Sequence, residues 1–143
     1  MNKLGHLFSG MRASASGLQA ERTRIDVIAT NIANAQTTKT PDGGPYRRKL
    51  VSFEPILQRA ESGALESMGV RVTGVTEDLQ TPFESVFDPG HPDANADGFV
   101  SMPNVNTTRE MADLITAVRA YEANLSAQES FVQMAERALR LAQ

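Results

Sequence analysis

The sequence contains no cysteine, which excludes disulfides, thiolate-held metals and a cysteine nucleophile. It has no tryptophan, and aromatic residues make up only 6% of its 143 positions. A large core anchored by aromatic rings is therefore not expected. No run approaches the roughly 20 apolar residues that span a bilayer, so no direct membrane span is expected. Nor does the start of the chain read as a secretory signal. Lys3 is followed only by the short patch Leu4–Phe8, broken by Gly5 and His6, and then by Ser9 and Gly10. Taken alone, this places the chain in the cytoplasm, unless it leaves by a route that needs no cleaved signal.

Histidines number two, His6 and His91. No nucleophile or glycine-rich oxyanion turn stands in a recognisable context near either, so catalysis is not expected. No cofactor is expected either, since phosphate loops and dinucleotide fingerprints are missing. The basic run Arg47-Arg48-Lys49 is too short to indicate nucleic acid. The net charge is −3 but unevenly placed. Residues 1–50 hold eight Lys and Arg against three Asp and Glu, residues 51–106 two against nine, and residues 107–143 four against five. Such an imbalance can orient subunits head to tail, or it can simply reflect a solvated acidic loop.

What the chain does have is helical periodicity at both ends. Residues 3–35 lack proline, and Leu4, Met11, Leu18, Ile25 and Ile32 stand at strict intervals of seven. Near the other end Met111, Val118, Leu125, Val132 and Leu139 do the same, flanked by Leu114, Tyr121, Ala135 and Ala142. A sustained seven-residue repeat keeps one seam facing a partner when helices supercoil. Thr107 and Glu110 make a T-x-x-E capping box before the second run. The expected fold is mainly α with a small β module. Long N- and C-terminal helices (1–36 and 107–143) pack as a coiled coil, and a short β-hairpin-rich segment (37–106) lies between them. Val27, Ile115, Phe131, Met134 and Ala138 fall off the seam and ask for further neighbours, which favours assembly over a closed monomer. The stretch Ser9–Gly17 is rich in small residues, with glycines at 10 and 17 that each cost about 1 kcal/mol in a helix interior. It is expected to be frayed in the monomer, near residues 5–17, and to order against a neighbour.

The middle opens with the turn Thr40-Pro41-Asp42-Gly43. Strands are expected over Tyr46–Phe53, over Gly69–Val75 with a bulge at Gly74, and over Gly98–Met102. Between them, Asp93, Asn95, Asp97 and Gly98 match D-x-N-x-D-G, the first half of a calcium-binding loop. The second half does not follow, because Asn104 stands where a bidentate glutamate belongs and Pro103 precedes it. These three residues are thus weak metal candidates, and a polar Asx-turn loop is the stronger reading.

Three stretches carry a resemblance that covers nearly the whole chain. They are Leu18-Gln-Ala-Glu-Arg-Thr-Arg-Ile-Asp-Val-Ile-Ala-Thr-Asn31-Ile-Ala-Asn34-Ala35; Gly43-Gly-Pro45-Tyr46-Arg-Arg with Asp88-Pro-Gly-His91-Pro92-Asp and Pro103-Asn104-Val-Asn106; and Met111 with Arg119-Ala-Tyr121-Glu-Ala-Asn124. On these the chain resembles the bacterial flagellar rod and hook axial proteins. The longer turn Pro41-Asp-Gly-Gly-Pro-Tyr46 favours the proximal rod over the distal rod. Asn31 and Asn34, three apart in the last turn of the first helix, can satisfy free carbonyls or join a neighbour's backbone. Tyr121 reads as an amphipathic packing residue.

The resemblance implies a structural subunit of the proximal rod, exported unfolded by the flagellar type III apparatus and assembled in the periplasm. There its helices form part of a tube that transmits torque. Implied partners are the other proximal rod proteins, the distal rod protein and the protein joining rod to membrane ring. The alternatives are a coiled-coil adaptor of finite size and a calcium-binding module built on the Asp93–Gly98 loop.

Overall fold

The computed structural model describes residues 3–59 and 65–141 of the chain. Helix α1 runs from Lys3 to Ala33 and helix α2 from Thr107 to Leu141. Between them lie strands β1 (Lys49–Arg59) and β2 (Leu65–Glu77), then β3 (Glu84–Phe87) and β4 (Phe99–Met102). No described helix is long and apolar enough to cross a membrane.

The two helices run antiparallel and pack along their length, with partners stepping seven residues forward on α1 as they step seven back on α2. Gly10 faces Phe131, Gly17 faces Asn124, and Asn31 reaches Glu110. A Cβ at Gly10 would stand 2.6 Å from the Phe131 ring, and one at Gly17 would stand 3.0 Å from the Asn124 amide. The glycines that weaken α1 are thus the hollows into which α2 fits. The neighbour this small-residue stretch needs comes from within the chain, and α1 is helical through it.

The seven-residue period holds, but the phase differs from the sequence expectation by one residue. The column of α2 turned to α1 contains Glu110, Ala117, Asn124 and Phe131; Ala117 is completely buried. The apolar column Met111, Val118, Leu125, Val132 and Leu139 does not lie between the helices; Leu125 is 42% exposed and Leu139 68%. On α1, Met11, Leu18, Ile25 and Ile32 are half-buried, while Ser14, Ala20, Ile28 and Asn31 are buried. Leu4 lies outside the residues whose side chains are described. The physical reason is steric. Gly10 and Gly17 of α1 and Ala117 of α2 allow close approach and leave room for Phe131 and Asn124, whereas the unbroken large apolar column beside them would hold the backbones apart.

The N-terminus of α2 also departs from expectation. Asn106, not Thr107, is the cap: its side-chain oxygen accepts the Arg109 N–H at 3.0 Å. This puts Glu110 one position too late for a capping box, and its carboxylate turns across to α1 and the start of β1 instead.

Strands β1 and β2 form an antiparallel pair from Lys49↔Glu77 to Arg59↔Leu65. The register steps twice, leaving Thr73 and Met68 as the extra residues on β2, the first beside Gly74. Near the second step Gly69 adopts φ +133°, and a Cβ there would collide with the Ser16 hydroxyl. That hydroxyl donates to the Ala13 carbonyl and accepts the Val70 N–H at 3.0 Å, tying the hairpin to α1. Strands β3 and β4 make a second antiparallel pair, closed by the edge-to-face rings of Phe87 and Phe99, 5.2 Å apart. The short exposed run Glu84–Phe87 gives no alternation strong enough to mark it as a strand in isolation.

Candidate functional site

Two features stand out: a buried polar clasp that joins the end of α1 to the start of α2, and the unpartnered apolar face of α2.

The clasp is centred on Asn31, which is only 1% exposed. Its Nδ2 donates to the Lys49 carbonyl at 2.9 Å and to Glu110 Oε2 at 3.1 Å. Its Oδ1 accepts the Tyr46 hydroxyl and the Lys49 N–H, both at 2.9 Å. All the hydrogen-bonding capacity of the amide is used. The other oxygen of Glu110, itself 1% exposed, accepts Arg48 Nε at 2.6 Å. A charge-assisted bond of this kind is worth about 1.5–3 kcal/mol, and a buried carboxylate without one would be costly. The guanidinium stands 3.9 Å from Asp78 and from Asp113.

A second tier continues the network. Asn104 accepts the Arg48 N–H at 2.8 Å and donates to the carbonyls of Asp78 and Thr81. Asp78 accepts the N–H groups of Gln80 and Thr81 and the Thr81 hydroxyl. Those bonds to Thr81, with lesser help from Gln80 and Arg48, hold its carboxyl below its ordinary value despite opposing desolvation. Burial, reinforced by Glu110 and Glu77, pushes the Tyr46 phenol up. The clasp therefore binds the end of α1, the entry to β1, the loop after β2 and the first turn of α2.

The resemblance-marked residues divide accordingly. Asn31, Tyr46 and Asn104 meet in the clasp. Asn34 caps its own helix end, donating to Thr30 and accepting from Thr37. Pro45 is half-buried behind the turn. His91 takes the Asp93 N–H on Nδ1, and Pro92 is exposed. Tyr121 is half-buried on α2. Arg48, Asp78 and Glu110 were not singled out as a site by the sequence. Their link spans up to 79 positions, and only the charged type of Glu110 within a helical column hinted at it.

The loop before β4 closes on itself. Asn95 Oδ1 accepts the N–H groups of Asp97 and Phe99, and Asp93 accepts the Thr38 hydroxyl at 2.7 Å. Asn95 is thus turned to the backbone by Asx-turn geometry, and Asp93 to the Thr38 hydroxyl. Among the described residues no group of three or more His, Asp or Glu is placed to hold a metal ion.

The outer face of α2 has no such closure. Met111, Ile115, Val118, Leu125, Val132 and Leu139 stand exposed along one side of α2, with Glu122, Glu129 and Glu136 interspersed, and a row of large exposed apolar side chains is of the kind that marks an interface. Comparison with known proteins gives the family. Residues 11–39 match the family model described as flagella basal body rod protein, and residues 96–141 match the flagellar basal body rod FlgEFG protein C-terminal model. The flagellar basal-body rod protein FlgC of Borreliella burgdorferi is 41% identical, over 96% of this chain and 98% of its own length. That of Bacillus subtilis is 41% identical over 94% and 97%, and that of Escherichia coli O157:H7 is 40% identical over 91% and 93%.

Proposed function

This chain belongs to the family of the flagellar basal-body rod protein FlgC and is a structural subunit of that rod, and we propose that it enters the rod through the outward faces of its two terminal helices. The single observation that carries this reading is the division of labour along α2. Toward α1 it presents Glu110, Ala117, Asn124 and Phe131, which close the chain on itself. Beside that column, on its exposed side, it presents six large apolar side chains, which are buried only when other rod and basal-body proteins cover them. Burying an apolar side chain of this size is worth about 1.5–3 kcal/mol.

At the family level the chain is a structural protein rather than an enzyme. The proposal places it in the proximal rod, against other proximal rod proteins, the distal rod protein and the junction to the membrane ring. Export proceeds unfolded through the flagellar type III apparatus without a cleaved signal. Coiled-coil geometry in the assembled helices, a non-closing helical tube and transmission of torque belong to the same proposal. The sequence domains (1–36, 37–106 and 107–143) are its working parts: two axial helices and a lateral β segment.

The test is substitution on the outer face. Leu125→Asp or Val132→Asp is expected to leave expression and circular dichroism intact, while abolishing swimming and removing the chain from purified basal bodies. Swimming cells with normal rods would overturn the proposal.

A further inference from the structure

Among the described residues, one sheltered carboxylate oxygen goes without a hydrogen bond. Glu21 Oε2, in the middle of α1, is shielded from solvent and has no hydrogen-bond partner. The nearest cation is Arg24, whose guanidinium stays at 3.9 Å, beyond hydrogen-bond distance. The side chain as a whole is 19% exposed, so the carboxylate keeps some contact with water, and its sheltered oxygen gains when a donor reaches it.

Its surroundings are a groove. The hairpin and α2 both pack on α1 and not on each other, so α1 is the floor between two walls. The groove at Glu21 encloses about 440 Å³, bordered by Phe53 and Val70 of the hairpin and by Asn124 of α2. Most of the lining is apolar or small, with the Asn124 amide and the Glu21 carboxylate as its larger polar groups. An occupant that suits it combines an apolar surface with one cationic side chain.

The chain carries such a surface on the opposite side of α2. Arg119 is exposed and makes no ion pair among the described residues. It follows the fully buried Ala117 by two positions, about 200° around the helix at 3.6 residues per turn, and so points away from α1. Ile115 and Val118, 56% and 37% exposed, stand beside it. Within one chain Arg119 and Glu21 lie on opposite faces of the helix pair and cannot meet.

We propose that the groove over Glu21 receives the α2 helix of a second copy of this chain, with Arg119 of that copy pairing with Glu21 and its Ile115 and Val118 covering Phe53 and Val70. This rests on the rod reading above and names the contact between like subunits. Groove and ridge are different surfaces, so the contact is heterologous. Repeated, it builds an open helical row rather than a closed dimer.

The test is a charge exchange in the full-length chain expressed in place of the wild type, read by swimming and by the amount of chain in purified basal bodies. Glu21→Arg and Arg119→Glu are each expected to lower incorporation by at least about tenfold, as loss of a desolvated charge pair does. The double exchange is expected to restore it. Glu21→Gln, which keeps the size and can still accept a bond, is expected to fall between. Circular dichroism of the purified variants checks that each is folded, and a misfolded Glu21→Arg leaves the decision to Arg119→Glu, which sits on the surface. Wild-type incorporation of both single variants would overturn the pairing, as would a double exchange no better than the singles. Rescue of Glu21→Arg by Arg24→Glu would instead assign Glu21 to its own helix. If the wild-type chain is missing from basal bodies the rod reading itself fails, whereas normal rods with an inert exchange refute only this contact.

Discussion

Replacing Asn31 by alanine tests whether the clasp holds the end of α1 to β1 and to the first turn of α2. The side chain makes four hydrogen bonds, to the Lys49 N–H and carbonyl, the Tyr46 hydroxyl and Glu110. At about 1 kcal/mol net for each neutral bond, and somewhat more for the one to a carboxylate, their loss totals about 4–5 kcal/mol. Its neighbours, Glu110 foremost, are buried too deeply for water to replace the amide without rearrangement. With a urea slope of about 2 kcal/mol per molar, the midpoint followed by far-UV circular dichroism should fall by about 2 M. Asn34→Ala is the control, because its amide bonds only within its own helix end, and it should cost under about 1 kcal/mol. A double-mutant cycle with Glu110→Ala should show coupling above about 1 kcal/mol. A midpoint that moves by less than about 0.5 M in Asn31→Ala, or no greater loss than in Asn34→Ala, would refute the clasp as a main tie.

Further outcomes follow from the same geometry. Gly10→Ala should destabilise the chain because its Cβ meets the Phe131 ring at 2.6 Å; in a Phe131→Ala background the same change should stabilise by about 1 kcal/mol through helix propensity, and thermal melts that show the same sign in both backgrounds would contradict this packing. Gly69→Ala should loosen the hairpin from α1, since the new methyl displaces the Ser16 hydroxyl and the backbone sits at φ +133°; hydrogen exchange should rise at the Val70 amide, and unchanged protection there would count against the contact. The lowered Asp78 carboxyl adds stability that is present above its ordinary pKa of 3.8 and is lost as pH falls through the folded value, so acid unfolding of Asp78→Asn should show a weaker pH dependence in that range, and identical acid profiles would exclude this contribution. The raised Tyr46 phenol has the opposite sign: its stabilisation holds below the ordinary value of 10.0 and disappears as pH rises past it, so alkaline unfolding should be less steep in Tyr46→Phe.

Much of the architecture was legible from local rules. The proline-free first stretch ends as a helix at Ala33, just before the turn that begins at Thr40. Gly43 and Gly44 both take positive φ in that turn, as only glycine does readily. The second helix begins at Thr107 and the seven-residue repeat is present in both. The strand pair around Gly69–Val75 extends further than its alternation suggested, because pairing with β1 continues through exposed residues whose pattern carries no hydrophobic signal.

The phase of the helix seam, the use of Glu110 and the clasp were not legible, for one reason. Sequence patterns assign an apolar column to the nearest apolar partner and a polar residue to the nearest backbone end. In this chain the inward column of α2 mixes Glu110, Ala117, Asn124 and Phe131, which fit because α1 offers glycines at 10 and 17, and the uniformly apolar column beside it is left for neighbours. Glu110 bonds to Asn31 across 79 positions instead of to the start of its own helix. The amino-acid order by itself determined the helices, the turns and the repeat of seven, since these follow from spacing, proline and glycine within a few residues. Only the tertiary structure decided which column faces inward and which polar groups meet. Those choices depend on backbone separation and on partners supplied by distant segments, which no local pattern encodes.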